Sequence, residues 1–444
     1  MEGTQQETVF IPCPVGHKAL TGMAQCPRCG LPIILYEKEL IDIVDRFKTL
    51  SQNFAKVQQL FPIGVGLWGS KLLLATVASH DIRLTKFSTI GASTTDLQMF
   101  AFAKQKMIPG EDVENILHKI NYPLKFAADT RGGIWKRAET TARNDSALAD
   151  RISILRINDI EEEQVAFFMG SLSEGIVAGV TPFLCSAAKE KNPNVLTIFI
   201  LTLPAEDTSE EAQFNAYCGL AMLLQSGMHT GIIMQESTLK TLKGISRSGA
   251  ELNADFLLPT MCDILLAIGV EGLAELSHVL QSFRLQVLSP AFAYGASYEI
   301  YGSLANIVEY AMYKILVPIN PENVIAAVTI ARIPRRLLEI VGKDALEEQF
   351  TSWTRRRFPA IRGSLLRIIT KEEPSDRIDA ILLLGAKNLE AITNSIKDGY
   401  IEFKANLDTM DLWEEYSITT DELKNIEESI LKYDKRISAL LKKK

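Results

Sequence analysis

Four residues near the start of the chain have the types and spacing of metal ligands: Cys13 and His17 as C-x3-H, then Cys26 and Cys29 as C-x2-C. A tetrahedral zinc takes two such chelating pairs on tight turns, and the Pro and Gly residues among them supply those turns. Three thiolates and one imidazole close the coordination shell, so the expected Zn2+ is structural and leaves no position for a reacting water. Chance clustering of reduced thiols is the alternative. Cys185, Cys218 and Cys262 lie in apolar, helix-like runs and read as small core residues.

Glycine suggests a second chemistry. Residues 63–71 read IGVGLWGSK, with Gly64, Gly66 and Gly69 in G-x-G-x-x-G spacing between an apolar run and a helical one. Glycines in such a turn let phosphate oxygens approach backbone amides at the positive end of a helix, and Lys71 adds a cation. A mononucleotide, a dinucleotide or a plain tight turn all fit this spacing, but the acid that a dinucleotide ribose needs about 20 residues on is not evident. Further along, residues 165–182 (VAFFMGSLSEGIVAGVTP) give another apolar run, a turn and a helix carrying Gly175 and Gly179.

The elements that must position these turns follow from periodicity. Apolar runs at 61–63, 87–90, 154–157, 165–169, 195–203 and 231–234 alternate with helical stretches, which predicts a parallel α/β sheet with ligands at the strand carboxyl ends. Residues 251–283 predict a buried helix joining two domains, started or kinked at Pro259. Runs at 324–330, 365–369 and 380–384 predict a second α/β domain. Thr419 and Glu422 suit a capping box, opening a helix whose Leu423, Ile426, Ile430, Tyr433, Ile437 and Leu440 follow a near-heptad rhythm. Upstream, Leu40, Val44, Phe47, Leu50, Phe54 and Val57 form an amphipathic stripe that docks on the same chain or on a partner helix.

Composition sets outer bounds. The chain has 444 residues, 47% apolar and 23% charged, with a formal charge of −7, which argues for a globular protein without general affinity for nucleic acid. Its longest largely apolar run, 195–203, is well short of the roughly 20 residues that span a bilayer. The start MEGTQQETVF lacks the basic and apolar regions of a signal peptide, so a cytoplasmic location without disulfides is expected.

Two phosphate-type turns in one sheet resemble the tubulin/FtsZ superfamily, and the wording is closest to its archaeal CetZ branch. Met169-Gly170-Ser171-Leu172 matches the family's MGSL turn, and Pro182 is kept, whereas the GGGTGSG signature has become SEGIVAG at 173–179. Residues 87–98 resemble the second strand and its turn, with Gly91 and Ala92 replacing an Asn-Thr pair. Arg131-Gly132-Gly133-Ile134-Trp135 resembles the third turn. Thr202-Leu203-Pro204 with Asn215-Ala216 and Gly219-Leu220 resembles the sugar-side loop and the guanine-contacting helix, and the likeness continues through Trp353 to 380–385. Outside the resemblance, the residues themselves predict a zinc ribbon at 1–36 and a linker helix at 37–57. The resemblance implies a nucleotide-binding domain at 58–245, a long central helix at 246–283 and a C-terminal α/β domain at 284–405, with the helical tail at 406–444 read from its own periodicity. It also implies GTP or GDP held by Gly64, Gly66, Gly69, Lys71, Gly132, Gly133, Gly175, Gly179 and Asn215. The implied partners are a second copy or a catalytic relative, with an unknown protein recruited through the zinc ribbon.

The departures bear on chemistry. In the family, acids on a loop after the central helix position the attacking water, and the rest of catalysis is electrostatic. LNADF at 252–256 holds an N-x-D core but precedes that helix, with Leu258 in place of the second acid. Placed by length, the loop is 281–295 and contains no acid. Glu174 replaces a signature glycine, and a carboxylate about 4 Å from a phosphate charge costs on the order of 4 kcal/mol at an effective dielectric near 20. No catalytic residue is therefore assigned. The expected protein is a divergent filament-forming or filament-regulating relative that binds guanine nucleotide weakly or without turnover; a nucleotide-free adaptor is the alternative. A Rossmann oxidoreductase is disfavoured by the second glycine turn. Arg335, Arg336 and Arg355 to Arg357, interleaved with Trp353 and Phe358, are expected to form a salt-bridged surface, with nucleic acid disfavoured.

Overall fold

The computed structural model describes residues 10–12, 18–20, 60–79, 87–103, 120–124, 133–151, 164–246, 249–373 and 375–442. Cys13, His17, Cys26, Cys29, Gly132, the amphipathic stripe and the expected strand 154–157 lie outside them. Near the start, β1 (Phe10–Pro12) and β2 (Lys18–Leu20) pair antiparallel, with Ile11 opposite Ala19. Residues 59–444 form a second compact unit.

That unit is built on a ten-stranded sheet. One half comprises β3 (Leu60–Val65), β4 (Ser88–Ile90), β5 (Asn121–Tyr122), β6 (Gln164–Ser171), β7 (Val195–Leu203) and β8 (Thr230–Gln235). The other comprises β11 (Val287–Ser297), β12 (Val324–Pro334), β13 (Gly363–Lys371) and β14 (Arg377–Ala386). From edge to edge the order is β5-β4-β3-β6-β7-β8-β11-β14-β12-β13. The strands from β5 to β11 run parallel, β14 runs antiparallel to both neighbours, and β13 is parallel to β12. Every residue of β6 and β7 is buried, as parallel strands covered on both faces require. At their centre Phe168 stacks on Phe199 with ring centroids 4.8 Å apart.

The two strand sets expected in separate domains thus share one sheet, and their junction is narrow. β8 and β11 are paired only at Gly231–Val287 and Ile232–Leu288. Beyond that point the strands diverge and Leu316 bridges them: its carbonyl accepts from Gln235 N at 2.9 Å, and its N–H donates to Pro290 O at 2.8 Å.

The helices after the strands of the first half are α1 (Gly66–Ser79), α2 (Thr94–Ala103), α3 (Trp135–Asn144), α4 (Ser146–Arg151), α5 (Gly175–Lys191), α6 (Glu210–Gln225) and α7 (Glu236–Thr241). A small hairpin, β9 (Gly244–Ile245) with β10 (Glu251–Leu252), precedes the expected central helix. That helix is two: α8 (Ala254–Ala267) and α9 (Gly269–Ser282), bent by 92°. The break falls at Gly269, whose φ of +68° ends α8 in the left-handed region that glycine enters without strain. Pro259 sits inside α8, five residues after its start, and does not begin it.

The remaining helices are α10 (Tyr298–Tyr301), α11 (Leu304–Met312), α12 (Arg335–Val341), α13 (Lys343–Arg357), α14 (Glu390–Thr409), α15 (Trp413–Tyr416) and α16 (Thr420–Lys442). α16 opens on the expected capping box: Glu422 N donates to Thr419 Oγ1 at 3.2 Å, and Thr419 N donates to Glu422 Oε2 at 2.9 Å. Its apolar seam is buried in the chain's own core, with Leu423, Ile426, Ile430, Tyr433 and Ile437 packed in the cluster that includes α6 and α14. Across the second half of the sheet, Arg332 on β12 bonds Asp263 of α8 at 2.8 Å and Asp379 of β14 at 3.0 Å.

Candidate functional site

The two glycine turns meet at the carboxyl ends of β3 and β6. Val65 ends β3, the chain turns through Gly66 at φ +69°, and α1 begins. The first-turn amides of α1 have no partner within the helix and carry its positive end. On the neighbouring strand, β6 ends at Ser171, and Glu174 stands as the N-cap residue of α5.

The Glu174 side chain does not cap its own helix. It crosses to α1, where Oε2 accepts from Leu67 N at 2.9 Å and Oε1 from Trp68 N at 3.0 Å. A Cβ at position 66 would overlap Glu174 Oε2, so the space opened by Gly66 is filled by the carboxylate. Burial lifts the Glu174 carboxyl above the usual carboxylate range, and nearby Glu236 adds to the rise. The two amide donors and the Lys71 charge oppose it. Bonds of this charge-assisted kind each contribute roughly 1.5–3 kcal/mol. Behind Glu174, Glu236 Oε1 accepts from Ser171 Oγ at 2.9 Å and Ser173 Oγ at 3.3 Å.

Gly64, Gly69, Gly175, Gly179 and Asn215, also expected to hold nucleotide, have structural employment. A Cβ at Gly64 would lie 2.7 Å from Gly69 O, and one at Gly69 would overlap Met169 O. Cβ atoms at Gly175 and Gly179 would overlap Gly133 O and Trp135 O, so these glycines let α3 and its leading turn approach α5. Asn215 on α6 is 1% exposed. Its Oδ1 accepts from Trp135 N at 2.8 Å and its Nδ2 donates to Gly133 O at 3.0 Å, so the amide that the resemblance assigns to guanine holds the start of α3. Gly64, Gly66, Gly69, Lys71, Gly133, Gly175 and Gly179 do gather around one end of the sheet. Yet the donors that a phosphate would take are occupied by a carboxylate, and the residues present do not fit that group in this conformation.

The segment expected to hold the catalytic loop is mostly strand. α9 ends at Ser282 and β11 starts at Val287, leaving Phe283, Arg284, Leu285 and Gln286 as the connection. Asp255, in the N-x-D core, lies in the first turn of α8, where its charge complements the helix dipole. Sequence reasoning missed Glu236; its place right after a buried strand, in GIIMQES, was the available signal.

Elsewhere the arginine cluster is partly paired: Arg335 with Glu372 at 2.6 Å and Arg357 with Glu309 at 3.5 Å. Trp353 and Phe358 are buried, so they offer no stacking platform for bases. Among the described residues no group of three or more His, Cys, Asp or Glu side chains is placed to hold a metal ion. Among the same residues no single helix is long and apolar enough to cross a membrane.

No protein-family model and no curated protein matches the sequence. Solved structures do match in fold. CetZ from Methanosaeta thermophila strain DSM 6194 superposes with a TM-score of 0.59 at 15% identity, over 83% of this chain and 98% of that one. CetZ1 from Haloferax volcanii, solved as a GDP-bound monomer, gives 0.59 at 16%, over 78% and 99%. The described chain from β3 onward therefore has the tubulin/FtsZ fold.

Proposed function

We infer that this chain is a tubulin/FtsZ-fold protein that forms or regulates filaments, by association with its own copies or with a catalytic relative, and does not turn over GTP. The observation that carries the reading is that neither candidate loop holds a pair of acids: Asp255 at the start of α8 has Leu258 where the second would stand, and the other candidate is the connection between α9 and β11. It is four residues long and holds no carboxylate to position a water. The proposed recruiting arm is the N-terminal module, with Zn2+ held by Cys13, His17, Cys26 and Cys29 and a protein as its target. A second reading, a nucleotide-free adaptor on the same fold, is favoured by the seat of Glu174 on the amides of Leu67 and Trp68.

The test is GTP hydrolysis by the full chain at rising protein concentration, with sedimentation run alongside. The expected result is pelleting without phosphate release, and about one zinc per chain in the same preparation. A turnover rate that climbs steeply with protein concentration would refute the inference.

A further inference from the structure

We propose, resting on the fold reading above, that Glu174 is a resident anion: a side chain that occupies the seat of a nucleotide phosphate and keeps this protein independent of nucleotide. Three separate features converge on it. Its two carboxylate oxygens each take a different first-turn amide of α1, as two oxygens of one phosphate group can. Its own helix does without it: as N-cap residue of α5 it makes no side-chain cap bond, so its direction is set by the turn across the sheet. And Gly66, the residue that opens a phosphate turn, is closed by Glu174 Oε2.

A tethered carboxylate competes with a free anion at an enormous local concentration, because no translational freedom is lost when it binds. It also repels any second anion that approaches. The first-turn amides of Leu67 and Trp68 are thereby satisfied without a bound ligand, and a nucleoside diphosphate finds neither those donors nor a neutral seat. The ligand class excluded by Glu174, and admitted when it is removed, is a phosphate-bearing one: inorganic phosphate or GDP.

The test uses the full chain in three forms: unchanged, Glu174→Gly and Glu174→Gln. Thermal unfolding is followed with added inorganic phosphate, acetate or GDP. The unchanged protein is expected to show no shift with any of them. Glu174→Gly is expected to unfold at lower temperature and to regain stability as phosphate or acetate rises, with GDP binding at least tenfold tighter than to the unchanged chain. Glu174→Gln keeps the volume and loses the charge, so it guards against a glycine variant that fails to fold; faster exchange of the Leu67 and Trp68 amides is expected there. Equal stabilisation of the unchanged protein and Glu174→Gly by GDP would overturn the proposal. So would a folded Glu174→Gly that no anion stabilises, or a Glu174→Gln whose two amides exchange at the unchanged rate. Failure to pellet in the sedimentation assay concerns the filament reading and leaves these outcomes readable.

Discussion

His229, just before β8 and so at the end of the sheet away from Glu174, titrates in the opposite sense. Its Nδ1 accepts from Thr197 N at 3.1 Å, which puts the ring proton of the neutral form on Nε2. Burial, then the charges of Lys189 and His278, lower its pKa to about 4. Its folded value lies below the ordinary one, so the unfolded chain takes the proton first. The stability that His229 contributes is therefore present above pH 6.5 and is lost as pH falls from there toward about 4. The Glu174 carboxyl shifts the other way: burial raises it, so the unfolded chain gives up this proton first and ionising the buried side chain costs stability as pH rises, a cost that the amides of Trp68 and Leu67 and the charge of Lys71 reduce. Thermal melts across this window should show a weaker acid loss in His229→Gln, which keeps an acceptor and cannot titrate, than in the unchanged protein. At this scale the sequence exposed Glu174 as a misfit in a glycine signature. It could not show where the carboxylate turns, because that depends on α1 lying across the neighbouring strand.

Among elements, the start of α16 was legible because a capping box is local: both partners sit within four residues. Thr419→Ala removes the Oγ1 acceptor of Glu422 N and should cost about 1 kcal/mol in urea unfolding, with the slope unchanged. The parallel strands were equally legible, since burial on both faces writes an unbroken apolar run such as VLTIFILTL. β11 was not. The loop length expected from the resemblance claimed its residues, although Val287 to Ala293 are buried without interruption. The bend between α8 and α9 was also hidden, because apolar residues on several faces read as one buried helix while Gly269 alone marks the break.

For the whole molecule the informative group is Arg332, which no local pattern announces. Asp263 and Asp379 are nearly fully buried, and Lys371 also reaches Asp379, at 3.3 Å. Arg332 thus ties α8 to the antiparallel half of the sheet through two carboxylates that have left water. Replacing it by Met should destabilise the chain by about 3–5 kcal/mol, because both buried carboxylates lose the guanidinium, with Asp379 keeping Lys371 and the Gly295 amide. Equilibrium unfolding measures this, and a loss below about 1 kcal/mol would show the network to be a surface pair in effect.

The narrow junction of β8 with β11 has a mechanical consequence. β12 and β14 are zipped from Val324 through Arg332, whereas β8 and β11 share two residue pairs and the bridge through Leu316. Within the sheet, a force pulling the parallel strands away from the antiparallel ones would concentrate on that short line. The apolar core shared by both halves, which holds Ile232 and Leu265 together with Val328 and Leu383, would carry the rest.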